Sequence, residues 1–297
     1  MKIFLTGKNG QLGYQLEHDL KKSHEVIAKD RNALDLINTQ LIEDTIYQVK
    51  PDLIINTAAY THVDKAEKEK DLAYQVNALA PKALSDSAKV LDIPIIHIST
   101  DYIFDGSKKI PYVEHDKANP LSVYGETKWK GEEFVRQNPK HFILRTSWVF
   151  SSIGQNFLKT IFKLAQEKNL LNVVDDQLGS PTSVKTISKA IQTIICHLEN
   201  KNNFDAYGTY HVTSGGETNW YLYAKKILDT LEFLKIEFKL KKKDLHPISS
   251  SQYTQDAKRP KNSRMNTTKF KNTFMVEFPH WENEVENTVS QIIKNLN

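Results

Sequence analysis

Short apolar runs alternate with amphipathic stretches along the first part of the chain. The apolar runs predict buried strands at residues 3–5, 24–29, 51–59, 93–100, 141–150 and 169–174. Between them, apolar side chains recur at helical spacing over residues 12–20, 41–49, 71–91 and 156–167, and Pro81 should mark a kink or the first turn of a second helix. Strands that alternate with helices predict a doubly wound α/β fold, with a parallel sheet covered on both faces.

Three glycines follow the first predicted strand at G-x-x-G-x-x-G spacing: Gly7, Gly10 and Gly13. A strand, a glycine loop and a helix in this order let backbone N–H groups approach a pyrophosphate at the helix N-terminus. Asp30 closes the next strand, where a carboxylate would bind ribose hydroxyls, and Arg31 could instead receive a 2′-phosphate. The pattern predicts a dinucleotide site and leaves NAD and NADP both open.

Tyr124 and Lys128 stand four residues apart, so a helix would place both side chains on one face. An ammonium one turn away favours the phenolate and should lower the pKa of the phenol, which suits general acid–base catalysis. Thr100 ends an apolar run upstream of the pair. A second pair with the same spacing, Tyr221 and Lys225, is interpreted as part of an exposed amphipathic helix.

Five residues stand at the carboxyl ends of predicted strands: Gly7, Asp30, Ala58, Thr100 and Trp148. Ligands of open parallel sheets bind at that edge. The agreement predicts one ligand site there, although Trp148 taken alone would be a core aromatic residue in most strands.

Two polar residues are kept outside the predicted site. Asn77 lies inside a predicted helix, where an asparagine usually bonds the local backbone. Arg259 could bind a diphosphate, but a surface arginine is the plainer interpretation.

The chain resembles the extended short-chain dehydrogenases/reductases, a family with a Rossmann-type fold. The glycine loop and the Tyr-x-x-x-Lys spacing are typical of that superfamily as a whole. Three segments, STDYIFDG, RTSWVF and RPKNSRMNT, are similar in this order to its dTDP-4-dehydrorhamnose reductase branch. The resemblance implies NAD(P)H-dependent reduction of the 4-keto group of dTDP-4-dehydro-6-deoxy-L-mannose to dTDP-L-rhamnose. It makes a dTDP-sugar the expected substrate and NADPH the expected cofactor, with NADH also accepted.

The resemblance also implies roles for residues at matching positions. Tyr124 would protonate the 4-oxygen of the sugar, Lys128 would hydrogen-bond the nicotinamide ribose, and Thr100 would hold the carbonyl oxygen. Asp101 and Trp148 would contact the substrate beside Thr100. The expected cofactor-binding residues are Gly7, Gly10, Gln11, Leu12, Gly13, Asp30, Arg31, Asp35, Leu36, Ala59, Tyr60, Thr61 and Lys128.

Two further function classes stay open. A nucleotide-sugar 4-epimerase would keep NAD tightly bound, and a regulatory homologue would bind without catalysis. Such regulatory homologues tend to lose the tyrosine or the lysine, and this chain has both. Related dehydratases carry Asp-Glu after the threonine, whereas Tyr102 follows Asp101 here, which argues against dehydration.

Length and composition add the remaining expectations. The chain has 297 residues and a net charge of +4. Its length suggests about two domains, and the regular alternation fades near Asp176. We predict a cofactor-binding domain over residues 1–175 and a smaller α/β substrate-binding domain over residues 176–297, with the chain crossing between them.

Cys196, the single cysteine, stands on an apolar helix face (IQTIICHL) and is interpreted as a core residue. It has no internal disulfide partner, which fits a reducing compartment, and we expect a cytoplasmic protein. No apolar run reaches transmembrane length, so we expect no membrane partner. The run KLKKKD is interpreted as a solvated surface, because no aromatic platform for nucleic acid accompanies it. A homodimer stays open. Gln15 stands where family members that bind a divalent cation should carry a glutamate, so no metal is expected.

Overall fold

The computed structural model describes residues 1–200 and 205–296, apart from the side chain of Leu296. The strands are β1 (Lys2–Thr6), β2 (Glu25–Lys29), β3 (Leu53–Asn56), β4 (Ile95–Thr100), β5 (His141–Thr146), β6 (Val149–Phe150), β7 (Leu171–Val174), β8 (Leu178–Gly179), β9 (Thr182–Ser183), β10 (Gly208–His211), β11 (Thr218–Asn219) and β12 (Leu245–Ile248). The α-helices are α1 (Gln11–Leu20), α2 (Thr39–Val49), α3 (Val63–Ala66), α4 (Lys70–Tyr74), α5 (Ala80–Val90), α6 (Val123–Val135), α7 (Phe157–Glu167), α8 (Val184–Asn200), α9 (Trp220–Phe233), α10 (Thr268–Phe274) and α11 (Trp281–Leu296). Short 3₁₀ turns cover Asp101–Ile103, Lys242–Asp244 and Ser250–Gln252.

A parallel sheet organises the molecule. Within the described residues it has six strands in the order β10-β5-β4-β3-β1-β2. The winding reverses between β1 and β3, and a crevice for ligands opens at such a switch point, at the carboxyl ends of the strands. The predicted doubly wound α/β fold of Rossmann type is confirmed.

Both faces of the sheet are apolar, so helices cover both. Ile3 and Leu5 of β1 pack into a core that includes side chains of α1 and α8. Phe4 points to the opposite face and packs into a core with residues of α2 and α5. This alternation follows from the two-residue period of a strand, and it explains why the buried strands are continuous apolar runs.

The long helix predicted over residues 71–91 is interrupted as expected. A π-helical turn at Gln75–Leu79 joins α4 to α5, and Pro81 lies in the first turn of α5. A proline has no N–H to donate to the preceding turn, so its place at a helix start costs no hydrogen bond.

The strand predicted at residues 169–174 does not belong to the main sheet, and this prediction was wrong. It forms β7, which pairs in parallel with β12 in a separate two-stranded sheet. The preceding helix, α7, packs with α9 and α11 around a separate core. This core includes Leu158, Phe162, Val173, Tyr223, Leu228 and Val285. Strand β10 takes the edge of the main sheet beside β5 instead. An apolar pattern predicts that a strand is buried, but not which sheet buries it.

The chain crosses between these packing units. Helix α8 and strand β10 follow residue 176 in sequence, yet they pack with the first core of the main sheet. The division into residues 1–175 and 176–297 stays a prediction. At α8 and β10, the chain returns from the second range to the core of the main sheet.

Cys196 is exposed, so its interpretation as a core residue was wrong. Helix α8 buries Ile187, Ile191, Ile194 and Ile195, which lie on one face because Ile194 and Ile195 are three and four residues after Ile191. Cys196 is the next residue after that face and turns toward solvent.

Candidate active site

Helix α6 begins at the carboxyl edge of the sheet, and it is the helix predicted to carry Tyr124 and Lys128. Ser122 caps it by accepting a hydrogen bond from the Gly125 N–H at 3.2 Å. Tyr124 and Lys128 lie in its first two turns. Thr100 ends β4 beside them, accepts from the Tyr102 N–H at 3.2 Å and donates to Asp101 Oδ1 at 3.0 Å.

Tyr124 is half-buried, and its ring packs edge-on against that of Tyr102, with 5.4 Å between the centroids. Burial raises the pKa of Tyr124 to about 12, the Asp101 charge adds to this, and a hydrogen bond with Thr100 opposes it. The expected lowering of this pKa by Lys128 was wrong for the free protein. The phenol is therefore protonated at neutral pH and is equipped to donate a proton.

The Lys128 side chain is 2% exposed, and its amine is directed at β4. Its Nζ donates to the Ile98 carbonyl at 2.6 Å and lies 3.4 Å from His97 Nε2. Burial lowers the pKa of Lys128 to about 8, and the charge of Glu132 opposes the change. These contacts explain why the amine does not act on the Tyr124 phenol in the free protein.

Asp101 is buried next to Thr100. Burial raises the pKa of Asp101 to about 6, and the nearby hydroxyl groups of Ser263 and Thr100 oppose this change. Its Oδ2 atom is buried and has no hydrogen-bond partner among the described residues. A buried, unsatisfied acceptor is costly, and a ligand hydroxyl at this point would satisfy it.

The glycine loop forms a cradle between β1 and α1. Gly7 has a φ of +77°, and a Cβ there would lie 2.9 Å from the Ala58 nitrogen. A Cβ on Gly13 would lie 2.1 Å from the Gly7 carbonyl oxygen, so only glycine permits this close approach. No side chain caps α1. Its first-turn N–H groups, at Gln11 and Leu12, are suited to an anionic pyrophosphate, so the loop fits a dinucleotide.

Asp30 follows β2 at the same edge. Its carboxylate accepts from the Ala33 N–H at 2.9 Å and from Asn9 Nδ2 at 3.2 Å, and Lys8 Nζ lies 3.9 Å away. The backbone hydrogen bond from Ala33 and the charge of Lys8 lower the pKa of Asp30. Arg31, the next residue in the chain, is exposed.

The other expected cofactor residues lie in loops at this edge. Asp35 and buried Leu36 lie between β2 and α2, and Ala59, Tyr60 and Thr61 follow β3.

Asn77 was interpreted as bonding its local backbone, and this was wrong. Its Oδ1 accepts from the Tyr60 N–H at 2.9 Å, and its Nδ2 donates to the Tyr60 carbonyl at 3.1 Å and to Thr127 Oγ1 at 3.2 Å. Asn77 therefore ties the loop after β3 to α6. The available sequence signal was its position four residues before Pro81, which has no N–H for the Asn77 carbonyl and so disturbs the helix at this point.

Trp148 adopts a φ of +48° and is half-buried. Its indole stacks on that of Trp220, with centroids 3.5 Å apart and planes 12° apart. A Cβ on Gly179 would lie 2.5 Å from Trp148 Cε2, and Trp220 Nε1 donates to Gln177 Oε1 at 3.1 Å. Trp220 therefore supports Trp148, a contact that no local pattern predicted.

Arg259 is half-buried rather than a free surface arginine. It donates to Asp64 Oδ2 at 2.9 Å, and its Nε is buried with no hydrogen-bond partner among the described residues. The pair joins α3 to the C-terminal segment that carries Ser263.

Within residues 1–200 and 205–296, no group of three or more His, Cys, Asp or Glu side chains is arranged to hold a metal ion. In the same ranges, no helix has both the length and the apolar character needed to cross a membrane.

Comparisons with known proteins agree with this geometry. Residues 1–294 match the family described as the RmlD substrate binding domain. The chain is 40% identical over 290 residues to a dTDP-4-dehydrorhamnose reductase of Sinorhizobium fredii, covering 97% of each protein. A dTDP-4-dehydrorhamnose reductase structure from Clostridium acetobutylicum has a TM-score of 0.90 at 36% identity, covering 99% of this chain and 100% of that one. The enzyme of the same name from Bacillus anthracis, in complex with NADP, has a TM-score of 0.89 at 34% identity, covering 98% and 99%.

Proposed function

Because this chain belongs to the RmlD substrate binding domain family, we propose that it is an NADPH-dependent reductase. The proposed reaction converts dTDP-4-dehydro-6-deoxy-L-mannose to dTDP-L-rhamnose. The observation that carries the proposal is the convergence of Thr100, Asp101 and a protonated Tyr124 at the sheet edge that also holds the glycine loop.

In this reaction, the bound cofactor supplies a hydride to C4 of the sugar. The residues of the chain handle the oxygen and its proton. Tyr124 donates its phenolic proton to the 4-oxygen, and the Thr100 hydroxyl hydrogen-bonds that oxygen. The phenol suits this role because burial keeps it protonated until a base as strong as a developing alkoxide is present.

The cofactor is proposed to bind along the crevice at the switch point. Gly7, Gly10 and the first turn of α1 would hold the pyrophosphate, with Gln11, Leu12 and Gly13. Asp30, Arg31, Asp35 and Leu36 would surround the adenosine end, where the cations Lys8 and Arg31 favour a 2′-phosphate. Ala59, Tyr60, Thr61 and Lys128 would line the nicotinamide end.

The sugar is proposed to lie between the edge of β4 and the indole of Trp148. The unsatisfied Oδ2 of Asp101 would accept a hydrogen bond from a sugar hydroxyl. The half-buried indole of Trp148 would present an apolar face to the deoxysugar. We also propose a cytoplasmic location, because the single cysteine fits a reducing compartment. A homodimer completes the proposal.

The test is a turnover assay with purified protein, dTDP-4-dehydro-6-deoxy-L-mannose and NADPH. We expect one equivalent of NADPH to be oxidised per sugar and the product to be identified by NMR as dTDP-L-rhamnose. Omission of the sugar is the control, and NADPH should then stay reduced.

Two outcomes would contradict the reductase. Conversion of one nucleotide-sugar to another without a change in nicotinamide absorbance would support the 4-epimerase. Cofactor and sugar binding without turnover would support a regulatory homologue.

A further inference from the structure

A chain of buried polar side chains runs across three neighbouring strands and ends at Lys128. Thr6 Oγ1 on β1 donates to Asn56 Oδ1 on β3 at 2.6 Å. Asn56 Nδ2 lies 3.0 Å from His97 Nδ1 on β4, and His97 Nε2 lies 3.4 Å from Lys128 Nζ. Asn56 is 1% exposed and His97 is 0% exposed, so water does not compete for these contacts.

The orientation of the Asn56 amide is determined by its neighbours. The Ala58 N–H lies 3.2 Å from Asn56 Oδ1, and a backbone N–H can only donate, so the atom facing it must be the oxygen. The Nδ2 of Asn56 therefore faces His97. An amide N–H at this point requires His97 Nδ1 to be an acceptor without hydrogen.

The charge state of the imidazole follows from its surroundings. Burial, with the neighbouring charge of Lys128, holds the pKa of His97 well below its ordinary value. A neutral ring with an unprotonated Nδ1 carries its hydrogen on Nε2. That N–H points at the amine of Lys128.

We propose that His97 is a positioning residue for Lys128, held by Asn56 as the Nε2–H tautomer so that it presents a donor to the lysine amine. An ammonium facing an N–H places two donors opposite each other, whereas a neutral amine accepts from His97 and donates to the Ile98 carbonyl. The contact thus favours the neutral amine, in the same direction as the lowering that burial causes. The functional consequence rests on the proposed reaction, in which Lys128 takes part.

Other groups around Lys128 do not provide this contact. The titratable or charged side chains on α6, β4, β5 and the turn Asp101–Ile103 include the buried His97, Asp101, Glu132 and Arg145 and the half-buried Tyr102 and Tyr124. Glu132 raises the pKa of Lys128, but it is engaged by Arg145 at 2.9 Å and by Ser99 at 2.5 Å. His97 is the side chain that the structure places within 3.4 Å of the amine.

The first test reads the tautomer directly and needs no turnover, so its result is separate from that of the proposed reaction. Long-range ¹H–¹⁵N NMR on histidine-labelled, cofactor-free protein distinguishes protonated from unprotonated ring nitrogens. The His97 signals are assigned by their loss in His97→Gln. We expect an unprotonated Nδ1 and a protonated Nε2 from about pH 6 to about pH 9. The opposite tautomer, or a charged ring, would overturn the proposal.

The second test reverses the tautomer. Asn56→Asp keeps an oxygen for Thr6 and Ala58 and places a second oxygen against His97 Nδ1, which must then carry the hydrogen. His97 Nε2 becomes an acceptor for the Lys128 ammonium. The alkaline limb of the kcat/KM profile is the pH range in which activity falls as the Lys128 ammonium loses its proton. In Asn56→Asp this limb should move up by about one pH unit or more, because the charged amine gains a partner.

Thr6→Val is the matched control. It removes one hydrogen bond to Asn56 but leaves the Ala58 N–H to orient the amide, so tautomer and limb should stay as in the wild type. If Asn56→Asp does not fold, His97→Gln serves instead, since its side-chain oxygen can turn to the amine and move the limb in the same direction. The proposal is overturned if the His97 tautomer reverses in Asn56→Asp but the alkaline limb of kcat/KM does not move. It is also overturned if His97→Gln folds and its alkaline limb stays at the wild-type position.

Discussion

The molecule contains two tyrosine–lysine pairs with the same spacing and different surroundings. Tyr124 and Lys128 lie on α6, where the amine is buried against β4. Tyr221 and Lys225 lie on α9, where the lysine is exposed. Spacing places both pairs on a helix face, but only the α6 pair meets Thr100 and the polar edge of the sheet. Burial, rather than spacing, gives the first pair its chemistry.

The two helices differ in what their buried faces carry. Helix α9 buries apolar side chains such as Ile227 and Leu228 against α7 and α11. Helix α6 buries Lys128 and Glu132, and β5 supplies Arg145, which pairs with Glu132 at 2.9 Å. A helix that buries charge must find partners for it, and here the neighbouring strands supply two of them, the Ile98 carbonyl of β4 for Lys128 and Arg145 of β5 for Glu132.

The largest effect should come from removing the two phenols in turn. Tyr124→Phe should lower kcat by about 10²–10⁴-fold, because the proton donor is lost, while cofactor binding survives. Tyr221→Phe, the matched control, should leave kcat nearly unchanged. Steady-state kinetics with the 4-keto sugar measures both, and equal effects in the two variants would break the comparison.

The next effect concerns the lysines and the free energy of unfolding. The pKa of Lys128 is about 8 in the folded protein, against an ordinary value of 10.5. Below pH 8, the buried ammonium therefore lowers the free energy of unfolding by about 3 kcal/mol. That cost disappears as pH rises from about 8 to about 10.5, and wild-type stability should rise over this window.

Lys128→Met removes the cost of the buried charge but also loses the hydrogen bond to the Ile98 carbonyl. The net effect should be a stabilisation of about 2 kcal/mol at pH 7, while activity falls. The advantage should shrink at about pH 10, as measured by urea unfolding. Lys225→Met should change stability by less than about 0.5 kcal/mol at either pH. A Lys128→Met protein that is less stable than wild type at pH 7 would contradict the cost assigned to the buried charge.

A smaller effect would sharpen the comparison within α9 itself. Trp220 directly precedes Tyr221 in α9, but its indole stacks on that of Trp148. Trp220→Ala should raise KM for the sugar by about 3- to 10-fold with less change in kcat, because an aromatic pair contributes about 0.5–1.5 kcal/mol. Trp220→Phe should restore most of the loss, and Trp148 fluorescence should report the changed packing. A fall in kcat at unchanged KM would assign Trp220 a different role.

The smallest effect separates two exposed cations. Arg31 is solvent-exposed, as Lys225 is, but it follows β2 at the cofactor edge. Arg31→Ala should weaken NADPH binding several-fold and leave NADH binding nearly unchanged, since an exposed charge contact contributes about 1 kcal/mol. Lys225→Ala should alter neither dissociation constant, and titration of nicotinamide fluorescence measures all of them. Equal losses for both cofactors would show that Arg31 does not recognise the phosphate.

Much of the fold was predictable because its signals are local. The apolar runs of β1, β3, β4 and β5 and the glycine loop each lie within a few consecutive residues. Strand β10 was missed because it is short and carries Thr209 and His211, and it is a strand only by pairing with β5. Strand β7 was assigned to the wrong sheet because periodicity does not specify a partner.

The candidate site divides in the same way. Tyr124, Lys128 and Thr100 could be selected from spacing and strand ends, but their protonation states could not. The pKa of Tyr124 is raised rather than lowered, because Lys128 turns to Ile98 and His97 instead of the phenol.

By itself, the sequence determined the alternation of the main strands and helices from β1 to α7, the glycine loop, and the helix face that carries Tyr124 and Lys128. These depend on backbone geometry within one or two turns, which neighbouring residues decide. Only the tertiary structure decided that Asn56 orients His97, that Trp220 supports Trp148, and that Asp101 keeps an unsatisfied oxygen. The physical reason is that loss of water and the choice of hydrogen-bond partner depend on residues brought together from distant parts of the chain.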